Sequence, residues 1–235
     1  WPSTASATYT GPFISASTWN QLGSDIDGEA LYDFSGAAVS MSSDGTRVAI
    51  GAEYNGSAAG HVRVFYDNSG TWTQVGSDID GEAANVNNYS GQAVSMSSDG
   101  TRVAIGAYGN DGTGTDAGHV RVYAESGGTW TQVGQDIDGE AAGDEFGRSV
   151  SLSSDGTRVA IGAPYNDDNG SSSGHVRVYD WNSGTSQWTQ VGSDIDGEAA
   201  DDQSGGLVSM SSDGTRVAIG AKWNDGTGTS AGHAR

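Results

Sequence analysis

Three features of the sequence predict an all-β fold, a β-propeller built from four-stranded antiparallel blades. First, SSDGTRVAIGA occurs four times unchanged, at 42–52, 97–107, 153–163 and 211–221, with starts 55, 56 and 58 residues apart. Self-similarity at a period of this size marks an array of equivalent units. Second, each unit carries short runs in which apolar and small or polar residues alternate, the period of a strand. Third, 38 glycines and many Ser, Thr, Asn and Asp residues punctuate those runs, as turns between short strands require. Four visible repeats fit a closed four-bladed ring or part of a larger propeller. Residues 1–18, rich in Ser and Thr, read as a leader or linker, and 19–235 as the repeats.

The unit that begins at Trp130 shows each element in turn. WTQVGQDI is a strand, and its counterparts begin at Trp19, Trp72 and Trp188. The acidic turn DGEAAGDEFG follows and leads to RSVSLS, a strand with Val150 and Leu152 on one face. Asp155-Gly156 is a hairpin turn, since Asp-Gly between alternating runs supplies residues that tolerate positive φ. TRVAIGA places Val159 and Ile161 on one face and Arg158 and Ala160 on the other. A loop, PYNDDNGSSSG, then leads to HVRVY, where Val176 and Val178 alternate with His175 and Arg177. The Trp strand is expected at the outer edge of a blade. Its indole rings there either cover that edge or stack on sugar rings.

The formal charge is −20, from 30 acidic and 10 basic residues. Nucleic acid is not expected as a partner, because phosphate recognition needs a basic surface. Self-repulsion on this scale calls for screening by salt or cations, so an extracellular or cell-surface setting is expected. No 18-residue apolar run exists for a helix to enter a membrane. Cysteine is absent, which removes disulfides and thiolate chemistry. Asn55, Asn88 and Asn169 lie in N-x-S sequons and are candidate glycosylation sites.

The strongest chemical pattern is D-I-D-G-E, at Asp25/Asp27/Glu29, Asp78/Asp80/Glu82, Asp136/Asp138/Glu140 and Asp194/Asp196/Glu198. Two carboxylates two residues apart point the same way, and Glu follows a Gly turn, so three hard oxygen ligands could converge on calcium. Asp111, Asp116, Asp167 and Asp168, from a loop at the same end of the blade, would complete the shell. The other reading pairs these acids with the repeated arginines, Arg47, Arg102, Arg158 and Arg216 or Arg63, Arg121, Arg177 and Arg235, because an unpaired buried charge is costly. The histidines at 61, 119, 175 and 233 read as blade packing. Catalysis is not expected, because most ionisable groups recur in every unit where a reaction centre uses residues that occur once.

At Asp144 to Pro164, DEFGRSVSLSSDGTRVAIGAP, the third unit resembles the FG-GAP repeat, the blade unit of the integrin α-subunit head and of many microbial and algal surface proteins. The resemblance extends over 19–235. Only the third unit keeps both signatures, Phe146-Gly147 and Gly162-Ala163-Pro164; the others have Ser35-Gly36, Ser90-Gly91 and Ser204-Gly205, with Glu53, Tyr108 and Lys222 in place of the proline. The resemblance implies a propeller, usually of seven blades, in extracellular adhesion or ligand binding. It also implies a calcium loop of the D-x-D-x-D-G type between the first two strands. The short SSDGT turn stands there instead, so that site is not carried over. The function expected is that of a non-enzymatic structural or adhesive module of a surface assembly, with neighbouring proteins or glycans as partners. A lectin-like carbohydrate binder is the alternative, and a glycoside-active enzyme comes third.

Overall fold

The computed structural model describes residues 20–82 and 87–235, so the expected leader at 1–18 and Trp19 lie outside the described residues. Four small antiparallel sheets follow one another as the blades of a β-propeller. Blade 1 contains β1 (Ala38–Met41), β2 (Arg47–Ala52), β3 (His61–Asp67) and β4 (Trp72–Gln74), with β5 (Ile79–Asp80) returning to the start of β3. Blade 2 repeats this with β6 (Ala93–Met96), β7 (Arg102–Ala107), β8 (His119–Ser126), β9 (Thr129–Gln132) and β10 (Ile137–Asp138). Blade 3 does so with β11 (Ser149–Leu152), β12 (Arg158–Ala163), β13 (His175–Asn182), β14 (Gln187–Gln190) and β15 (Ile195–Asp196). Blade 4 has three strands, β16 (Leu207–Met210), β17 (Val217–Ala221) and β18 (His233–Ala234).

The SSDGT turn is a type I turn closed by a left-handed glycine. In blade 3 Gly156 N donates to Ser153 O at 2.9 Å, and Gly156 has φ of 68°. Positive φ is confined to the glycine. Asp155 contributes through its carboxylate, which accepts from Ser153 Oγ, Thr157 N and Thr157 Oγ1. The same bonds form around Asp44, Asp99 and Asp213. This is the short-polar-residue mechanism that favours Asp in turns.

Every unit is joined to the next by the repeated motif. On the innermost strands Ser40 Oγ accepts from Met96 N, Ser95 Oγ from Leu152 N and Ser151 Oγ from Met210 N, each at 2.9 Å. At the turns Ser43 N donates to Ser98 O, Ser98 N to Ser154 O and Ser154 N to Ser212 O, at 2.8–2.9 Å. Arg47, Arg102 and Arg158 reach forward to the carbonyls of Gly100, Gly156 and Gly214 at 3.2, 3.0 and 2.9 Å. At the outer edge the indole N–H of Trp130 and Trp188 donates back to Val75 O and Val133 O, both at 2.8 Å.

Apolar burial lies in these joints. Ala49, Val62 and Val64 of blade 1 meet Met96, Val103 and Ile105 of blade 2, and Val120 and Val122 of blade 2 meet Leu152, Val159 and Ile161 of blade 3. The two faces of β2, β7 and β12 are both covered, which is why RVAIGA is buried almost throughout. Glycine at its fifth position lets the sheets close. A Cβ on Gly51, Gly106 or Gly162 would overlap the carbonyl oxygen of Gly91, Gly147 or Gly205 on the next blade. At Gly220 the nearest atom to such a Cβ is Leu207 O, at 3.7 Å.

Identical residues in unequal surroundings give a direct test. Gly106→Ala should destabilise the fold by about 1–3 kcal/mol, as overpacking does, whereas Gly220→Ala should leave stability within about 0.5 kcal/mol. Urea unfolding of the two variants would check this, and equal losses would refute the joint geometry.

Candidate functional site

The ionisable residues of each unit gather at one end of its sheet. The start of the third strand presents His61, His119 or His175, and two residues on, on the same face, Arg63, Arg121 or Arg177. The chain then turns at the outer strand and returns through β5, β10 or β15, bringing the first Asp of D-I-D-G-E over that face. In blade 3 Arg177 Nη2 lies 2.8 Å from Asp194 Oδ2, and in blade 2 Arg121 Nη2 lies 2.8 Å from Asp136 Oδ2. Gln190 and Gln132 steady the same carboxylates at 2.6 Å.

The three acids of one motif do not converge. The glycine in D-I-D-G-E begins the crossing to the next blade, so the motif is shared between two neighbouring sites. Asp136 and Asp138 stay with His119 in blade 2, while Glu140 crosses to Arg177 and His175 in blade 3. Glu82 likewise crosses from the blade 1 motif to Arg121. Glu29 stands 3.7 Å from Arg63, and Glu198 3.7 Å from both Arg235 and His233. Elsewhere Arg47 pairs with Glu125 at 3.1 Å, and Arg158 Nη2 with Asp180 Oδ2 at 2.7 Å. The Arg102 guanidinium donates to the Gly156 carbonyl, and Arg216 is exposed.

Three groups of side chains can hold a metal ion: Glu140, Asp168, His175 and Asp194; Glu29, His61 and Asp78; and His119, Asp136 and Asp138. The blade 3 group has the fullest donor set. Asp168 enters from the loop after β12, at the position occupied by Gly112 in blade 2. Three carboxylates against one arginine leave two negative charges beside a buried imidazole. His175 is 1% exposed, and neither of its ring nitrogens has a hydrogen-bond partner. Asp111, Asp116 and Asp167 do other work: Asp111 accepts from Asp116 N at 2.8 Å and Asp167 from Ser172 N at 2.7 Å, both closing their loops.

Burial, reinforced by neighbouring Arg121, lowers the His119 imidazole to about 4, and the same causes lower His175. The Arg121 hydrogen bond outweighs burial to hold Asp136 below its usual range, and Asp138, without such a bond, is raised by burial. Of the sequon asparagines, Asn88 is buried, Asn55 donates to Asp33 at 3.2 Å, and exposed Asn169 donates to Gly197 O at 2.7 Å.

Residues 136–179 match the FG-GAP repeat family. The third unit is an FG-GAP repeat. No curated protein sequence matches the chain. Among solved structures, the periplasmic gluconolactonase PpgL of Pseudomonas aeruginosa is similar at 19% identity and a TM-score of 0.47, over 69% of this chain and 39% of that one. Sqt1 of Saccharomyces cerevisiae is similar at 14% identity and a TM-score of 0.52, over 83% of this chain and 44% of that one. The likeness to Sqt1 is one of fold, and the chain spans about two fifths of the length of these structures.

In the FG-GAP unit, Phe146 is fully buried, edge-on to His175 and Tyr179. The residue before it, Glu145, has positive φ, and so do its equivalents Phe34, Tyr89 and Gln203. In blades 1 and 2 this backbone turn presents a row of aromatic rings that sequence periodicity did not reveal. Phe34 meets Tyr54 at 5.0 Å, Tyr54 meets Tyr89 at 5.3 Å, Tyr89 stacks on Tyr108 at 4.8 Å, and Arg148 lies 4.2 Å above Tyr108. Burial raises the Tyr108 phenol to about 12. A second missed feature is a clamp between the crossing segment and the loop after the second strand: Asn166 donates to Asp144 at 3.1 Å and Asn224 to Asp202 at 2.8 Å. Its signal was present in the sequence as a constant spacing of 22 residues, repeated at Asp33/Asn55 and Asn88/Asn110.

The depressed histidines fix a pH dependence. A base that binds protons less readily when folded contributes stability that is complete above its unfolded pKa and lost as pH falls toward its folded one. Unfolding free energy should therefore drop between about pH 6.5 and 4. His119→Asn should flatten that drop in denaturant titrations, which separates it from the opposite contribution of Asp138. An unchanged slope would contradict the assignment.

Proposed function

We propose that this chain is a non-enzymatic, extracellular β-propeller that serves as a structural and adhesive module of a surface assembly and binds calcium in blade 3. The observation that carries this reading is the composite cluster of Glu140, Asp168, His175 and Asp194. It joins a crossing segment, a loop, a central strand and a returning strand at one point, so a cation bound there would brace the blade. The equivalent groups of the other units are engaged in holding their own sheets, which suits repeated construction better than a single reaction centre. The strongly acidic surface favours cationic or cation-bridged protein neighbours over nucleic acid.

Thermal unfolding in millimolar calcium, against chelator at constant ionic strength, tests the site. A ligand at a hundred times its Kd stabilises by about 2.7 kcal/mol. The stabilisation should disappear in Asp168→Asn, the variant that gives blade 3 the uncharged character of blade 2. An absence of any shift in the wild type would remove calcium from the account.

The aromatic row supports a second reading, carbohydrate binding. Phe34 and Tyr54 are exposed and adjacent, the arrangement on which sugar rings stack. The repeated tryptophans are less suited, since Trp130 and Trp188 spend their N–H groups on the neighbouring blade and Trp188 is buried. On a glycan array, binding that is lost in Tyr54→Ala and kept in Trp130→Phe would favour this reading.

A further inference from the structure

We propose that copies of this chain join head to tail, blade 4 of one copy packing on blade 1 of the next, with residues 20–27 of the second copy completing the sheet of blade 4. The two surfaces are the halves of a joint that the chain makes three times within itself.

On blade 1, Val39 and Met41 are 65% and 53% exposed, whereas Met96 and Leu152, at the position of Met41, are buried against the preceding blade. On blade 4, Leu207 is 76% exposed, and Ala218 is exposed where Ala49, Ala104 and Ala160 are fully buried against the following blade. The polar connectors are also free at these ends. Ser209 stands where Ser40, Ser95 and Ser151 accept a backbone N–H from the next blade, and Met41 N stands where Met96, Leu152 and Met210 donate one. Arg216 is the equivalent of the arginines that reach forward to Gly100, Gly156 and Gly214, and Gly45 is the matching carbonyl.

Residues 20–27 add a second, independent match. They already have the shape of an outer strand. Gly23 has φ of 72°, against 73°, 78° and 75° for Gly76, Gly134 and Gly192, and Gln21 donates to Asp25 as Gln74, Gln132 and Gln190 donate to their aspartates. They lie on blade 1, where Trp72 Nε1 donates to Leu22 O at 3.1 Å and Ile26 packs against Val48 and Phe65. Yet they pair with no sheet, while β18 is paired on one side alone. Addition of a strand to such an edge satisfies both sets of backbone groups. In blades 1 and 3 the returning strand pairs Asp80 with His61 and Asp196 with His175, so Asp27 of the added strand would face His233.

Charge completes the match. The blade 4 cluster holds Glu198, His233 and Arg235 but lacks the aspartate that Asp136 and Asp194 supply in blades 2 and 3. Asp25 of the added strand is that aspartate. Such a head-to-tail interface yields a ring where its rotation closes and a filament where it does not.

Because the chain contains no cysteine, a cross-link reads the interface without background. Ser98 Oγ and Ser154 Oγ are 2.6 Å apart across an internal joint, and Ser212 and Ser43 are the corresponding pair between copies. In Ser43→Cys/Ser212→Cys, mild oxidation at moderate salt should give covalent dimers and higher species on non-reducing gels. The wild-type chain should sediment as a multiple of 23.9 kDa. Gly220→Ala, whose new Cβ would strike Gly36 of the partner, should abolish both while circular dichroism stays unchanged; Leu207→Asp serves as a second variant with the same expectation. A wild type that sediments as a monomer, a disulfide formed within single chains, or association indifferent to Gly220→Ala and Leu207→Asp would each overturn the proposal.

Discussion

Close approach of backbone to backbone across the joint between blades is the constraint on which the rest depends. Gly51, Gly106 and Gly162 lie against carbonyls of the next blade with no room for a side chain. Sheets that near each other bring Ser40, Ser95 and Ser151 within reach of the next innermost strand, and the SSDGT turns within reach of one another. The same closeness buries Ala49, Ala104 and Ala160 completely. Stability in such an array is a sum of unit and nearest-neighbour terms, and here the neighbour term is carried by one eleven-residue motif. Its exact repetition follows, since every residue in it touches a copy of itself or its equivalent surroundings.

The acidic motif answers a different need. A chain leaving the outer strand of one blade for the innermost strand of the next must cross the end of a sheet, where His and Arg of the third strand are partly buried. Carboxylates on both sides of the crossing glycine satisfy those arginines, and the glycine itself passes close to the backbone of the same blade: a Cβ on Gly139 or Gly197 would overlap the carbonyl of Ala117 or Ser173. Asp168 changes the balance in blade 3 by adding a third carboxylate where the other units have none. A construction element thereby acquires the composition of a cation site.

The strands, the hairpin turns and the propeller were legible because they depend on local alternation, on Asp-Gly turns and on a long repeat. The FG-GAP likeness was legible in the third unit, where Phe146-Gly147 and Ala163-Pro164 survive. The division of D-I-D-G-E between two blades was not, because it depends on which way the chain turns at Gly139 and Gly197. Local reasoning could place Asp136 beside Asp138 but not Glu140 beside His175. The aromatic row of Phe34, Tyr54, Tyr89 and Tyr108 was hidden for a similar reason: its members come from two loops in each of two blades, and they meet only after the joint forms. The Asp–Asn clamp could have been found, since its 22-residue spacing holds in all four units.

Amide hydrogen exchange at the repeated turns tests the central claim most directly. The four SSDGT segments have the same sequence and thus the same intrinsic exchange rates, so differences report structure alone. The amides of Ser97 and Ser153 are bonded within their own blades, and those of Ser98 and Ser154 across joints. If the joints hold the fold together, Ser98 and Ser154 will be protected to a degree similar to Ser97 and Ser153 and will be released in the same unfolding event. Protection of Ser97 and Ser153 with free exchange at Ser98 and Ser154 would show blades that fold separately, and would contradict the account.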